Sequence, residues 1–260
     1  MIRRWLYVEV RITWLATLSR RIAAFSLPVV LLAIVLHRFG VVEYEIAYVT
    51  LAAGLGVALL GVLVAIAAFI VIWNEGLRGL GRAISACVIG FAVLAYPAFE
   101  FARGANLPAI SDVTTDPSDP PRFLAVASAR PSGANPIAYP GERPARLQRA
   151  AYPAVKPLEI DAGPDEAFNV ALLIMERRGW RVLDSITPRG GQREGRIEAI
   201  ARTLVMGFRE DVAIRIRAIE KGVRIDMRSA SRYGSHDLGS NARRIETFLA
   251  EFNEARRRAR

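Results

Sequence analysis

The sequence predicts an α+β protein in which a three-helix transmembrane region precedes an antiparallel four-stranded sheet that two helices cover on one face. Two observations predict this architecture. Apolar residues concentrate in residues 22–103, whereas the charged residues are spread over 104–260. In the second half, apolar and polar residues alternate along two neighbouring stretches that a short turn separates, as expected of an antiparallel hairpin.

Three apolar stretches are long enough to cross a bilayer, which requires about 20 residues. Residues 46–73 contain no charged side chain, residues 83–101 are apolar up to Pro97 and Glu100, and residues 22–42 form the shortest candidate. Small residues recur four positions apart in residues 46–73, a spacing that lets helices approach closely in lipid. We therefore expect three transmembrane helices that pack together within 22–103.

Residues 1–21 differ from these stretches. Apolar residues, including Trp5 and Trp14, recur at helical spacing, and five arginines flank them. This composition is typical of a helix that lies in the headgroup plane, so we interpret 1–21 as an interfacial amphipathic segment. It is not typical of a cleavable signal peptide, because the apolar run starts late and no small-residue cleavage site follows.

The distribution of arginine predicts the orientation of the chain. The N-terminal segment and the loop at 74–82 are the most basic, and the positive-inside rule places both in the cytoplasm. Three spans then put the C-terminal domain on the opposite side, which predicts a multi-pass inner-membrane protein with a periplasmic domain if the host is a Gram-negative bacterium. If the first apolar segment is re-entrant, the domain faces the cytoplasm instead.

The second half is divided into a connector and a folded domain. Residues 104–157 are rich in proline and show no long apolar period, so we expect an extended connector. Residues 158–260 have the pattern of a soluble α+β domain. A helix begins at Gly163-Pro164, Lys221-Gly222 forms the hairpin turn, and Asp237 is a candidate N-cap of the last helix.

The hairpin has one apolar and one charged face. The apolar side chains predicted to lie under the two helices are Val212, Ile214, Ile216, Val223, Ile225 and Met227. The charged side chains predicted to share the opposite, open face are Arg215, Arg217, Arg224 and Arg228, with Asp226 among them and Arg232 just beyond. We expect either docking of this face on anionic lipid headgroups or an acidic partner, or arginines that only keep the sheet soluble.

The composition excludes several classes of function. The net charge is +10, and arginine supplies nearly all of it. The basic residues lack interleaved aromatic residues, so we expect no nucleic-acid partner. The single cysteine, Cys87, and two histidines form no metal-binding motif, and no glycine-rich phosphate loop is present. We therefore predict no metal and no cofactor, and the sequence does not specify an oligomeric state.

Few residues suggest catalysis. Ser235-His236-Asp237 contains the residue types of a hydrolase triad, but three consecutive side chains diverge, and a triad converges from separate segments. The carboxylates of Glu198, Asp211, Asp226 and Asp237 are candidates for acid–base chemistry.

Several blocks resemble one known family. They are ISDVTTD at 110–116, PP at 120–121, GRIE at 195–198, GF before DV at 211–212, RSASR at 228–232 and DLGSN at 237–241. In this order they resemble domain of unknown function 1499, found in bacteria and plants, over about residues 110–252. The resemblance implies a domain often attached to membrane segments and without an assigned activity. It draws attention to the polar residues at motif positions, which are Thr115, Asp116, Glu198, Asp211, Arg228, Ser229, Ser231, Arg232, Asp237 and Asn241.

Two hypotheses of function remain open. In the first, this is a non-enzymatic, membrane-anchored envelope protein whose domain binds a partner protein, an anionic lipid headgroup or a cell-wall component. In the second, it is a hydrolase or transferase of the envelope that uses its carboxylates. The binding candidates are Arg215, Arg217, Arg228, Arg232, Ser229, Ser231, Asp237, Asn241, Glu198 and Asp211. A deep pocket around the carboxylates favours the enzyme, and a shallow basic face favours the binding protein.

Overall fold

The computed structural model describes residues 11–188 and 194–259. The chain divides into two compact units, a helical one that ends at Phe101 and an α+β one that begins at Ala102.

Three long helices form the first unit: α1 (Trp14–Arg38), α2 (Tyr44–Glu75) and α3 (Leu80–Gly104). All three are long and apolar enough to cross a membrane, with a mean hydropathy of 3.0 for α2 and 1.8 for the other two. Their outward side chains are large and apolar, as expected of surfaces that face lipid. The three predicted spans are present, and the chain is a membrane protein.

The helices approach each other at small residues, as the sequence predicts. A Cβ on Gly61 of α2 would lie 2.9 Å from the backbone nitrogen of Ala23 in α1. A Cβ on Gly90 of α3 would lie 2.3 Å from Val62. Only glycine permits these contacts, so larger side chains at either position would separate the helices.

The start of α1 differs from the expectation for residues 1–21. Helix α1 begins at Trp14 and continues without a break past Arg20 and Arg21. Residues 14–21 are thus the first turns of the first candidate span, since no helix breaker separates them from it. The rest of the predicted interfacial segment, residues 1–10, lies outside the described residues.

The second unit is built on an antiparallel sheet. Its strands are β1 (Asp112–Thr114), β2 (Leu158–Ile160), β3 (Arg181–Ile186), β4 (Glu194–Arg202), β5 (Arg209–Ile219) and β6 (Gly222–Ser231). In the described residues the order is β1-β6-β5-β4-β3, and β2 pairs with the other half of β6. Its helices are α4 (Ala125–Ser128), α5 (Glu142–Ala151), α6 (Pro164–Arg177) and α7 (Ser240–Ala259).

The four predicted strands and two predicted covering helices are present. Helices α6 and α7 cover one face, and all six apolar side chains assigned to that face are fully buried in one core. In the hairpin, Ile214 lies opposite Met227. A Cβ on Gly222 of the turn would lie 2.0 Å from the carbonyl oxygen of Ile160, so this position requires glycine.

Strands β1 and β2 are additions to the predicted sheet. Both are three residues long, too short to produce a visible alternation. β1 lies in residues 104–157, which were expected to be an extended connector but also contain α4 and α5. This stretch contributes Ile110 and Val113 to the core beneath the helices, and Phe123 to a second core on the opposite face. It is therefore an integral part of the α+β unit.

Candidate functional site

The arginines of the sheet are not on an open face, which corrects the expectation from the alternating pattern. Residues 115–139, here called the cover segment, return across the face opposite α6 and α7. Arg215 and Arg228 are only 6% and 3% exposed, and Arg232 only 1%. Alternation shows that these side chains share a face, but it does not show what covers that face.

Asp226 is the centre of the first cluster on this face. Its fully buried carboxylate accepts hydrogen bonds from Arg215 at 3.1 Å, Arg217 at 3.0 Å and Arg224 at 3.0 Å. Asp226, which was expected on an open face, therefore forms a buried cluster of ion pairs with these arginines.

The cover segment supplies the remaining negative charge. The Asp116 carboxylate accepts a hydrogen bond from Arg224 at 2.7 Å, and Asp119 accepts one from Arg217 at 3.0 Å. Three aspartates therefore face three arginines. Burial acts to raise the pKa of Asp119, but the charges and hydrogen bonds of Arg215 and Arg217 together lower it below its ordinary value. The surface expected to be strongly positive is instead charge-balanced.

Arg228 occupies a second site in which each part of its guanidinium has a partner. Nε and Nη2 bind the two oxygens of Asp112 at 3.0 and 2.6 Å. Nη1 donates to the carbonyl of Pro121 at 3.2 Å, and the guanidinium lies 4.3 Å from the ring centroid of Phe123. Burial raises the pKa of Asp112, and the ion pair with Arg228 opposes that rise. This arrangement is typical of a structural arginine that attaches the cover segment to the sheet.

Asp211 forms the third site. It accepts hydrogen bonds from Arg130 at 2.6 Å and from Arg232 at 2.7 Å, and Asp211 and the Arg232 side chain are both fully buried. Arg232 also donates to the carbonyl of Ala129 at 2.9 Å. Each oxygen of this carboxylate thus accepts hydrogen bonds from a guanidinium.

The carboxylate of Glu198 is buried and binds backbone amides. Its Oε2 accepts hydrogen bonds from the amides of Leu124 at 2.9 Å and Val126 at 3.0 Å, which start α4. Its other oxygen lies 3.2 Å from Arg196 Nε. Glu198 therefore holds the short helix of the cover segment against β4.

A polar cluster lies on the helix side of the sheet, where β5 and β6 meet the start of α7. The hydroxyl of Ser229 donates to Asn241 Oδ1 at 2.7 Å, and Asn241 Nδ2 donates to the hydroxyl of Ser231 at 3.0 Å. Arg244 donates to Ser229 at 2.8 Å and pairs with Glu210. Burial and the charge of Arg178 lower the pKa of Arg244 to about 10, which still leaves its guanidinium charged at neutral pH.

Asp237 has the predicted capping role. Its carboxylate accepts hydrogen bonds from the amides of Gly239 at 2.8 Å and Asn241 at 2.9 Å, at the start of α7. Burial raises its pKa, and these hydrogen bonds oppose the rise. Burial also raises the pKa of Tyr152 to about 12, with a contribution from Asp237. In the described part of the chain, the Tyr152 hydroxyl and His236 Nε2 are buried without a hydrogen-bond partner.

The structure brings the ten candidate residues into separate groups. Arg215, Arg217, Arg228, Arg232, Asp211 and Glu198 hold the cover segment, and Ser229, Ser231 and Asn241 share one network that Asp237 adjoins. Sequence reasoning missed Asp112, Glu210 and Arg244. Arg244 lies three residues after Asn241 on one helix, which was the available signal for its contact. Among the described residues, no cluster of His, Cys, Asp or Glu is suited to a metal ion.

The spans and the sheet together define a membrane protein with a C-terminal α+β domain. The family model of DUF1499, a protein of unknown function, matches residues 112–252, which include all six strands and most of α7. The chain belongs to this family, as the resemblance of its motif blocks predicts. No curated protein and no solved structure matches it.

Proposed function

We propose that this chain is a non-enzymatic envelope protein, anchored in the inner membrane, whose C-terminal domain binds a partner outside the cytoplasm. One observation carries the proposal: each candidate carboxylate for acid–base chemistry already has two or more hydrogen-bond donors. Asp211 and Asp226 bind arginines, whereas Glu198 and Asp237 bind backbone amides. Carboxylates held in this way stabilise a fold rather than exchange protons with a substrate.

The helix boundaries support the periplasmic placement. Arg38, the last residue of α1, is the one basic residue at the first connection, whereas Arg78 and Arg82 lie at the second connection and Arg11 precedes α1. Under the positive-inside rule, the N-terminal end and the second connection stay in the cytoplasm. The domain after α3 then lies on the opposite side, where its partner is a protein, an anionic lipid headgroup or a cell-wall component.

In-cell photocrosslinking of the full chain tests the binding role. A crosslinking residue replaces exposed side chains of the domain one at a time, for example Leu173 or Val182, while Phe91 within the lipid-facing surface of α3 serves as the control. We expect discrete adducts at a subset of domain positions, whose mass distinguishes protein, lipid and glycan. Background labelling at every domain position would contradict a specific binding role.

An enzymatic role is the second candidate, favoured by Asp237 and its neighbours. The partly buried Asp237 carboxyl, with its raised pKa, lies beside Tyr152 and His236, each of which has a buried polar atom without a hydrogen-bond partner among the described residues. Asp237→Asn separates the candidates, because asparagine keeps one of the two acceptor oxygens that bind the start of α7 but cannot act as an acid or base. The binding role predicts full complementation of a deletion strain by this variant, and a hydrolase or transferase predicts none.

A further inference from the structure

The side chain of Gln148 attaches helix α5 to the edge of the sheet. Gln148 accepts a hydrogen bond from the amide of Thr114 at 3.0 Å and donates one to its carbonyl at 2.7 Å. The side-chain amide thereby completes the hydrogen bonding of β1 as a neighbouring strand would. Gln148 and Ala145 are buried, so they define the inward face of α5.

The opposite face of α5 is basic and partly apolar. Arg143, Arg146, Leu147 and Ala150 are all exposed, and their spacing of three, four and seven residues places them along one side of the helix. Leu147 is 43% exposed although it is a large apolar residue. Arg149 does not add to this charge, because it pairs with Glu142 at the other end of the helix.

The two arginines of this face differ from the arginines of the sheet. Within the described ranges, Arg143 and Arg146 form no salt bridge, whereas Arg215, Arg217, Arg228 and Arg232 are all paired with aspartate. The exposed cationic surface of the domain therefore includes α5 and excludes the predicted sheet face. A basic face with one apolar side chain is complementary to phosphate headgroups above an acyl layer.

We propose that the face formed by Arg143, Arg146, Leu147 and Ala150 docks the domain on the anionic phospholipid surface of the membrane that anchors the chain. This inference rests on the proposed binding function and identifies anionic phospholipid as the partner. Two features favour it. The domain begins directly after α3, so tethering makes docking intramolecular. Helix α5 is already folded against β1, so binding does not have to overcome the cost of forming an isolated ten-residue helix.

Site-directed fluorescence on the full chain in nanodiscs tests this inference. Cys87→Ser removes the single native thiol, and Ala150→Cys then carries a polarity-sensitive fluorophore on the docking face. With phosphatidylglycerol nanodiscs at low salt we expect a blue-shifted probe that lipid-borne quenchers reach. With phosphatidylcholine, or at high salt, we expect an exposed probe.

Charge reversal supplies the decisive comparison. Arg143→Glu with Arg146→Glu should shift the docking equilibrium roughly fivefold toward the undocked state for each basic residue removed, and further through repulsion. The matched control is Arg177→Glu with Arg181→Glu, which changes the same net charge at exposed positions of α6 and β3 and should leave docking intact.

Two outcomes would overturn lipid docking. One is a probe equally exposed on anionic and neutral nanodiscs, and the other is an equal loss of docking in both charge-reversal variants. The reconstituted system contains no other protein. Failure here would therefore remove lipid as the partner of α5, whereas failure of the proposed function would appear as the absence of specific adducts in cells.

Discussion

Arg228 and Asp112 form a buried bidentate ion pair that joins β6 to β1 across 116 positions of sequence. Phe123 of the cover segment packs against the same guanidinium. The pair therefore connects the sheet to two parts of a stretch that the sequence pattern alone suggested was a connector.

The first prediction concerns this pair. Asp112→Ala leaves the Arg228 charge buried without its carboxylate, so we expect the free energy of unfolding of the domain to fall by about 3–5 kcal/mol. Chemical denaturation of the full chain in detergent measures the change, followed by the fluorescence of Trp180 in a background in which phenylalanine replaces Trp5, Trp14 and Trp73. Glu142→Ala breaks the exposed pair with Arg149 and should cost less than about 1 kcal/mol. Equal losses in both variants would show that the buried pair has no special role.

The second prediction concerns the polar network at α7. Asn241→Ala removes the acceptor of Ser229 and a donor to Ser231, which leaves buried hydroxyls with fewer partners. We expect a loss of about 1–3 kcal/mol in the same unfolding measurement. Asn169 is exposed on α6, so Asn169→Ala should be neutral or slightly stabilising because alanine favours the helix. A neutral Asn241→Ala would show that the network does not stabilise the fold.

The third prediction concerns two tyrosines and pH. Burial raises the pKa of Tyr139 and of Tyr152 to about 12, from 10.0 in an unfolded chain. The folded state therefore binds protons that the unfolded state releases above pH 10. Stability from these groups is fully present below pH 10 and is lost as the pH rises toward about 12.

Phenylalanine substitutions check this dependence. Neither hydroxyl has a hydrogen-bond partner among the described residues, so Tyr139→Phe and Tyr152→Phe should be neutral or stabilising by about 1 kcal/mol at pH 7. Each should also reduce the loss of stability between pH 10 and 12, measured by denaturation at each pH. A large destabilisation at pH 7 would indicate that the hydroxyl makes an essential contact.

The fourth prediction concerns metal. The described residues contain no cluster suited to a metal ion, and the core beneath α6 and α7 is continuous. Thermal melts of the full chain with and without a chelator should therefore coincide. A downward shift of several degrees with chelator would reveal a bound ion that stabilises the fold.

What the sequence predicted well depended on local periodicity. The alternation of Val212, Ile214 and Ile216 identified the strand and its buried face, and Asp237 marked the start of the last helix. The assignment of the opposite face failed for a non-local reason. Asp116 and Asp119 lie about 100 residues before the arginines that they neutralise. The periodicity of a strand does not predict that so distant a segment folds back over its face. The same limit applies to the three-residue strands and to Gln148, whose function as a substitute strand depends on tertiary contact.

The last prediction concerns topology. Arg38 is the one basic residue at the connection between α1 and α2, which also contains Glu43, whereas Arg78 and Arg82 lie at the connection between α2 and α3. This difference should retain the second connection in the cytoplasm and place the C-terminus outside. A reporter that is active only in the periplasm should be active when it is fused after Arg260. A reporter that fluoresces only in the cytoplasm should not fluoresce when it is fused at the same position. Introducing Val41→Arg with Val42→Arg into the first connection should weaken or reverse that pattern, because it makes the first connection the more basic of the two. A cytoplasmic C-terminus in the unmodified chain would contradict the orientation and would move the domain, with its docking helix, to the inner leaflet.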